Sequence, residues 1–169
     1  MPLIIKNNQV IEDSWHLLQA DCSLADALAQ PQPIIVPFTL WQNHAVELKQ
    51  LTKLGVWLDS HEAIEEIVED LPLFSLVALN FPTFTDGRHF SSARLLRERY
   101  AYSGEIRAIG DVLRDQLFFM QRCGFDAYAV RADRCPHDAL LSLTEFSICY
   151  QSAVDCPEPL FRRRVLKSA

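Results

Sequence analysis

Short apolar runs alternate with amphipathic stretches through the middle of the chain. Each run has the length of a strand and is mainly apolar, which is typical of strands buried between helices. These runs occupy residues 34–38, 56–59, 76–81, 105–109 and 126–130. Apolar residues at helical spacing predict helices at residues 40–54, 61–70, 91–102, 111–123 and 137–147. The alternation predicts an α/β fold of about five mainly parallel strands alternating with helices.

Two architectures fit this alternation, and the periodicity leaves both open. Successive strands could lie side by side, as in a partial β/α barrel, or wind in both directions, as in an open flavodoxin-like sheet. In both architectures, ligands bind at the carboxyl ends of the strands, on the loops that lead into the helices. The sequence therefore predicts that functional residues lie at those ends.

The chain has the size of one domain. Its 169 residues, of which 49% are hydrophobic, can form one sizeable core. We expect a single α/β domain over residues 1–169 with its core at residues 34–150. An N-terminal extension at residues 1–33 and a C-terminal tail at residues 151–169 flank this core. Within the extension, the sequence predicts a hairpin of residues 3–5 and 9–11 and a helix at residues 23–29.

The charge balance argues against nucleic acid and membrane surfaces as partners. The net charge is −6, so an anion would need a local basic site. The residues after Met1 lack the basic region and apolar core of a signal peptide, and no apolar run approaches the length of a membrane span. We therefore expect a cytoplasmic protein that binds neither nucleic acid nor membranes.

Five cysteines, an odd number in a chain expected to be cytoplasmic, predict free thiols. The spacing of the last three cysteines matches neither common zinc sites nor ferredoxin clusters, so we expect no metal site. Cys135 follows Arg131 and Arg134 and precedes His137, and nearby cations favour a thiolate. Cys135 is therefore the candidate reactive thiol.

The stretch FPTFTDGRHFSSARLLRERY, at residues 81–100, concentrates cations where the third predicted strand turns into a helix. Free amide groups and the helix dipole favour an anion at such a turn, and a neighbouring arginine strengthens its binding. The alternative is that Asp86 and Ser91 only cap the helix, while the arginines pair with surface acids. The candidate anion-binding residues of this stretch are Arg88, His89, Ser91, Ser92 and Arg94.

Arg107 lies inside a predicted strand, between apolar neighbours. A buried charge is costly unless it is paired, so Arg107 needs a partner. Asp111 at the end of the strand, Asp115 in the following helix, or a bound anion could supply it. Arg114 projects from the same helix, so Arg107 and Arg114 are further anion-binding candidates. A purely structural salt bridge is the alternative.

Motifs for nucleotide or nicotinamide binding are absent from the sequence, as is the nucleophile elbow of hydrolases. No cofactor is therefore indicated by a motif, although a flavin held without a fingerprint is compatible with either architecture. The sequence identifies no catalytic residue.

A long run of residues is similar to a family of bacterial proteins classed as a domain of unknown function. Members of that family are described as probable oxidoreductases involved in sulfite reduction, and their genes lie beside those for the assimilatory sulfite reductase haemoprotein. The similarity covers residues 34–164. The residues that carry it are Phe84-Thr85-Asp86-Gly87-Arg88-His89-Phe90-Ser91, Ala93-Arg94-Leu95-Leu96-Arg97-Glu98-Arg99, Gly104-Glu105-Ile106-Arg107-Ala108-Ile109-Gly110-Asp111, Arg114-Asp115-Gln116-Leu117, Arg122-Cys123-Gly124-Phe125-Asp126 and Tyr150-Gln151.

The resemblance implies a role in assimilatory sulfite reduction. Sulfite and sulfate are small oxyanions, which an arginine-rich helix start would suit. We therefore expect an accessory protein of this pathway that binds a small oxyanion, docks on sulfite reductase, or does both.

Two other functions stay open. The first is an enzyme acting on a phosphate- or sulfate-bearing small molecule, with Arg88 in its anion clamp and Asp86 or Asp111 as general acid or base. The second is a non-catalytic interaction module that contacts a protein partner through the acidic stretch at 59–70 or the basic tail at 162–164. The oligomeric state is also open, and a homodimer is compatible with the sequence.

Overall fold

The computed structural model describes residues 1–166. It contains one mixed sheet of eight strands. The order of the strands across the sheet is β2-β1-β8-β7-β6-β5-β4-β3. The strands are β1 (Leu3–Lys6), β2 (Gln9–Glu12), β3 (His16–Leu17), β4 (Ile34–Pro37), β5 (Leu54–Leu58), β6 (Leu76–Phe81), β7 (Glu105–Gly110) and β8 (Ala127–Tyr128).

Strands β3 to β8 are parallel and lie side by side in the order of the sequence. The hairpin of β1 and β2 joins β8 in antiparallel orientation. Parallel neighbours in sequence order are the arrangement of a β/α barrel, whereas a flavodoxin-like sheet reverses its order in the middle. The α/β class is thus confirmed, and the sheet has the strand order of part of a β/α barrel.

The sheet contains eight strands where the sequence predicts about five, because residues 1–33 contribute three strands. The predicted hairpin is confirmed as β1 and β2, with Asn7 and Asn8 at positive φ angles of 48° and 60° in its turn. Strand β3 consists of only His16 and Leu17, which pair with β4. A strand of this length leaves no periodic signal in the sequence.

The two edge strands of the sheet lie near each other, so the sheet curls. Strand β2 ends at Glu12 and β3 begins at His16, and four residue steps span at most about 14 Å. Strand residues alternate between the two faces of this curled sheet. The concave face carries a small apolar cluster of Ile35, Leu76, Ala78 and Ile109, against which Trp15 and Trp57 pack.

The convex face of the sheet is buried under helices and carries the main core, which includes Val56, Val77 and Ile106. Because both faces are covered, the central strands are mainly apolar, as the sequence indicates. The helices are α1 (Leu24–Ala29), α2 (Phe38–Leu48), a 3₁₀ helix (Ile64–Leu73), α3 (Arg88–Glu98), α4 (Arg114–Cys123), α5 (Pro136–Leu140), a second 3₁₀ helix (Leu141–Thr144) and α6 (Leu160–Leu166).

Several helices differ from their predicted bounds. The helix predicted at 61–70 is a 3₁₀ helix that contains Pro72, and the last predicted helix is divided into α5 and the second 3₁₀ helix. Helix α4 begins three residues later than predicted, because Leu113 is still extended with φ −116° and ψ 155°. Helix α3 begins three residues earlier than predicted, at Arg88, which moves both serines of the candidate anion site out of its first three positions.

The predicted tail of the chain ends in α6. Residues 167–169 and the side chain of Arg164, which belong to this tail, lie outside the described part of the chain. Among residues 1–166, no helix is both long enough and apolar enough to cross a membrane.

Candidate functional site

Polar side chains meet at the carboxyl ends of β5 to β8, and we call Asp59, Asn80, Asp111 and Arg131 the carboxyl-end cluster. The amide Nδ2 of Asn80 donates to Asp59 Oδ1 at 3.0 Å. Arg131 donates to Asp111 Oδ1 at 2.7 Å, while the amide of Phe84 donates to Asp111 Oδ2 at 2.9 Å. The cluster occupies the position at which β/α proteins bind ligands.

The strand alternation explains this placement. Trp57 and Ala78 point to the concave face, so Asn80, two positions after Ala78 in β6, points there as well, while Asp59 and Asp111 directly follow β5 and β7. Gly110 has a positive φ of 91°, which turns the chain out of β7. This turn brings the amide of Asp111 within 2.7 Å of the Phe81 carbonyl oxygen and sets the aspartate beside the loop after β6.

Arg88, the central residue of the predicted anion site, is already bound by neighbouring side chains. Its guanidinium donates to both carboxylate oxygens of Asp86, at 3.0 Å and 2.6 Å, and to Ser60 Oγ at 2.8 Å. The hydrogen bonds from Arg88 and then from Ser60 hold the pKa of Asp86 well below its usual range. Asp86 is therefore ionised, and its charge offsets that of the arginine.

The other candidates on α3 form no anion site, because each is buried, paired or within the hydrogen bonding of the helix. His89 is 1% exposed, and its Nε2 has no hydrogen-bond partner in the described structure. Burial lowers its pKa, so the imidazole is neutral, and Nδ1 lies 3.2 Å from Ser92 Oγ. Arg94 pairs with Glu98 one turn later at 2.9 Å. Ser91 is exposed, and its position as the fourth residue of α3 places its amide within the helix hydrogen bonding.

Arg107 has different partners from those the sequence suggests. Its Nη1 lies 2.8 Å from Asp13, and its Nε lies 2.7 Å from Glu105. Lys6 also contacts Glu105 at 2.6 Å, so a buried network of alternating charge crosses the concave face. Asp111 is held by Arg131 instead, because it lies at the rim beyond the reach of this network.

The remaining candidates lie around α4 and α5. Arg114 pairs with Asp138 at 3.2 Å and with Glu145 at 2.7 Å. Asp115 is exposed and makes no ion pair with the described residues. Cys135 is an exposed free thiol at the start of α5. A cavity of about 350 Å³ brings Cys135 beside Arg114, Asp115 and Asp138, among other residues.

A second cavity, of about 1000 Å³, lies where the two edges of the curled sheet approach each other, and we call it the seam cavity. Its wall includes Ile4 of β1, Leu17 of β3 and Ala129, which follows β8. The carboxyl ends of β3 and β8 therefore both contribute to it, so this cavity lies at the same end of the sheet as the carboxyl-end cluster.

The chemistry of the carboxyl-end region is acidic. The region contains Asp59, Asp86 and Asp111. It also contains Asp133, which accepts two hydrogen bonds from Arg131. Arg88, Arg131 and Arg134 bind three of these four carboxylates, and Asp59 is bound by Asn80, so carboxylates outnumber guanidinium groups by one. Within residues 1–166, no group of three or more histidine, cysteine or acidic side chains is arranged to hold a metal ion. The region therefore suits a hydroxyl or an amine better than an oxyanion.

Sequence reasoning missed several residues of these sites. Asp59 and Asn80 stand at the ends of predicted strands, so the rule that ligands bind at carboxyl ends could have found them. Asp13 carries no such signal, because it lies in a three-residue connection and meets Arg107 across 94 positions of sequence.

Sulfate tests whether Arg88 is available to an anion. We expect no saturable rise in the melting temperature of the wild-type protein with added sulfate, because Asp86 already occupies the guanidinium. In Asp86→Asn the arginine loses its counter-charge, and sulfate should then stabilise the variant by about 2.7 kcal/mol at a hundredfold excess over its dissociation constant. Thermal-shift titrations check both, and an equal saturable shift in the two proteins would contradict the expectation.

Comparison with known proteins gives one match. The model of a family described as "Bacterial protein of unknown function (DUF934)" matches residues 55–161, a stretch that runs from β5 to α6 and includes the carboxyl-end cluster. No curated protein and no solved structure matches the chain.

Proposed function

Since this chain belongs to the DUF934 family of bacterial proteins of unknown function, we propose its role from its sequence resemblance and its surface together. The protein is an accessory protein of assimilatory sulfite reduction that docks on the sulfite reductase. Of the two modes of action that the sequence suggests, docking has more structural support than oxyanion binding.

The pathway in this proposal comes from the resemblance. The run from Phe84 to Asp126, together with Tyr150 and Gln151, is similar to proteins described as acting in sulfite reduction. Genes placed beside those of the reductase suggest that the products act together. The reductase is therefore the first partner to test.

The observation that carries the docking proposal is a set of exposed apolar residues on α4, on the second 3₁₀ helix and on the segment that follows it. The exposed fractions in this segment are 62% for Phe146, 67% for Ile148 and 76% for Tyr150. Large apolar side chains at this density are uncommon on a surface without a partner. We call the aromatic surface the set of Phe119, Leu141, Phe146, Ile148 and Tyr150.

Contacts within the protein hold this surface in place. The rings of Phe118 and Phe146 have centroids 5.0 Å apart, which fixes the segment against α4. Arg122 donates to the carbonyl oxygen of Gln151 at 2.7 Å and extends this attachment. A surface that is ordered before binding loses less conformational entropy when a partner covers it.

Charged pairs border the aromatic surface. Arg114 contacts Asp138 and Glu145, and Glu145 directly precedes Phe146 in the sequence. An apolar centre with a polar border is the composition that protein interfaces show. Aromatic residues are also the residues that contribute most to binding energy at such interfaces.

The enzyme alternative has less support. Its anion clamp would use Arg88, which Asp86 and Ser60 already bind. Asp86 also has a lowered pKa, which disfavours it as a general acid. The interaction-module alternative also binds a protein partner, but it would use the acidic stretch at 59–70 or the basic tail at 162–164 rather than the aromatic surface.

A gene deletion in a bacterium that encodes this protein tests the pathway. We expect the deletion strain to grow poorly on sulfate and on sulfite, and normally on sulfide or cysteine, because the lesion precedes sulfide. The wild-type gene should restore growth, whereas a gene carrying Phe146→Ala and Tyr150→Ala should not. The measurement is the growth rate on each sulfur source.

The control variant is Val46→Ala, which removes an equally exposed apolar side chain, 78% exposed, from α2. It should restore growth fully. In a pull-down on immobilised sulfite reductase, the double variant should bind about tenfold more weakly than the wild type or Val46→Ala. Equal growth on all four sulfur sources would refute the pathway, and equal retention of the three proteins would refute the docking surface.

A further inference from the structure

The seam cavity presents apolar side chains to solvent. Leu3 and Leu17 are 42% and 43% exposed although both belong to strands, and both line this cavity. Trp15, Leu18 and Val130 extend the same lining. Its volume of about 1000 Å³ lies at the upper end of the range for ligand sites. An apolar molecule in the cavity would remove the two leucines from water, which favours binding.

The charges around the cavity are mainly negative. Asp13 is offset by Arg107, and Arg134 lies 3.6 Å from Asp133. Asp21 and Asp26 also line the cavity, and neither makes an ion pair within the part of the chain that the structure describes. The cavity therefore has two carboxylates without a counter-ion beside an apolar and partly aromatic wall.

Local hydrogen bonds keep this charge in place. Ser23 donates its hydroxyl and its amide to Asp26 at the start of α1, and these bonds lower the pKa of that carboxyl. Burial raises the pKa of the neighbouring Cys22, and Asp26 and Asp21 raise it further, so the thiol is neutral. A cation in the cavity would thus meet the ionised carboxylate of Asp26 and a neutral thiol.

We propose that the seam cavity binds a small organic molecule that joins an apolar or aromatic body to a protonated amino group. The body lies against Trp15, Leu3 and Leu17, and the ammonium group lies beside Asp21. An ammonium group is attracted by carboxylates and by the face of an indole ring, whereas a carboxylate ligand is repelled by Asp21 and Asp26. This ligand site is separate from the aromatic surface on α4.

Three probes of matched shape test the charge preference. Phenethylamine, phenethyl alcohol and hydrocinnamate share an aromatic body and differ in the charge at the other end. By calorimetric titration of the full chain, we expect phenethylamine to bind at least about tenfold more tightly than the alcohol, because only its ammonium group adds a positive charge to the hydrogen bond with a carboxylate. Hydrocinnamate should show no saturable binding. Equal affinities for the amine and the carboxylate would overturn the proposal.

Variants locate the probe. Asp21→Asn should weaken phenethylamine about fivefold and leave the alcohol unchanged, because the amide keeps the shape and removes the charge. Glu69→Gln, which removes an exposed acid from the 3₁₀ helix Ile64–Leu73, is the matched control and should change neither affinity.

Filling the cavity gives an independent test. Ala132 is an exposed residue of a loop in the cavity wall, so Ala132→Trp occupies the space with little effect on the core. This variant should melt within a few degrees of the wild type and bind the amine at least about tenfold more weakly, since the apolar contacts are then unavailable. Unchanged amine binding in Ala132→Trp or in Asp21→Asn would overturn the proposal.

Discussion

Replacing Arg107 with alanine should lower the free energy of unfolding by about 3–5 kcal/mol, because it removes one member of a buried ionic network and leaves its partners unpaired. The Arg107 side chain is 2% exposed, and it contacts Asp13 at 2.8 Å and Glu105 at 2.7 Å. Two carboxylates in a largely dry environment would then lose their shared cation. Urea unfolding monitored by tryptophan fluorescence measures the change.

The two carboxylates are not equally affected by this substitution. Glu105 keeps Lys6 at 2.6 Å, whereas Asp13 keeps only a hydrogen bond from the amide of Trp15 at 3.1 Å. Most of the loss should therefore arise at Asp13, which lies in the connection between the two sheet edges. Asp13→Asn keeps the shape and removes the charge, and it should leave Arg107 with Glu105 alone and cost less than Arg107→Ala.

Arg94 is the matched control, because it is an arginine in a single exposed ion pair on α3. Its side chain is 59% exposed and pairs with Glu98 one turn later. Arg94→Ala should cost no more than about 0.3–0.5 kcal/mol, the usual contribution of such helical pairs. If Arg107→Ala were no more destabilising than Arg94→Ala, the network on the concave face would contribute nothing to stability.

The main elements of the fold follow from local patterns, whereas their closure does not. Runs such as 76–81 carry apolar residues on both sides, and this alone indicates a parallel sheet under helices. Strand β3 consists of two residues that pair with β4 by backbone hydrogen bonds, and two residues are too few to show a periodic pattern in the sequence. The approach of β2 to β3 depends on the curl of the whole sheet of eight strands, which no local pattern reports.

The same distinction holds for the sites. The cations of residues 88–94 are visible in the sequence, but their availability depends on contacts such as that between Arg88 and Ser60, 28 positions earlier. Charge type can be read from the sequence, and charge compensation cannot. The seam cavity was not predicted for a related reason. Its walls combine residues from strands near the two opposite edges of the sheet, and the sequence does not show that these edges approach each other.

Replacing Gly110 with alanine should lower the free energy of unfolding by about 3 kcal/mol or more, which combines backbone strain with steric overlap. Gly110 has a φ of 91°, a region that residues with a Cβ rarely adopt. A methyl group at this position would overlap the carbonyl oxygen of Phe81 and Oδ1 of Asn80. The carbonyl belongs to the backbone of β6 and accepts the amide of Asp111 at 2.7 Å, so it cannot move without disturbing the turn.

The comparison that isolates this effect is Gly87→Ala, at the start of α3. Gly87 has a φ of −99°, and a methyl group there would approach only the ring of Phe90, at 3.3 Å. This variant should unfold within about 1 kcal/mol of the wild type, because the backbone conformation is open to alanine and an aromatic ring can shift slightly. Equal stability of the two variants by urea unfolding would show that the turn after β7 does not require glycine. In that case the position of Asp111 in the carboxyl-end cluster would not depend on this turn.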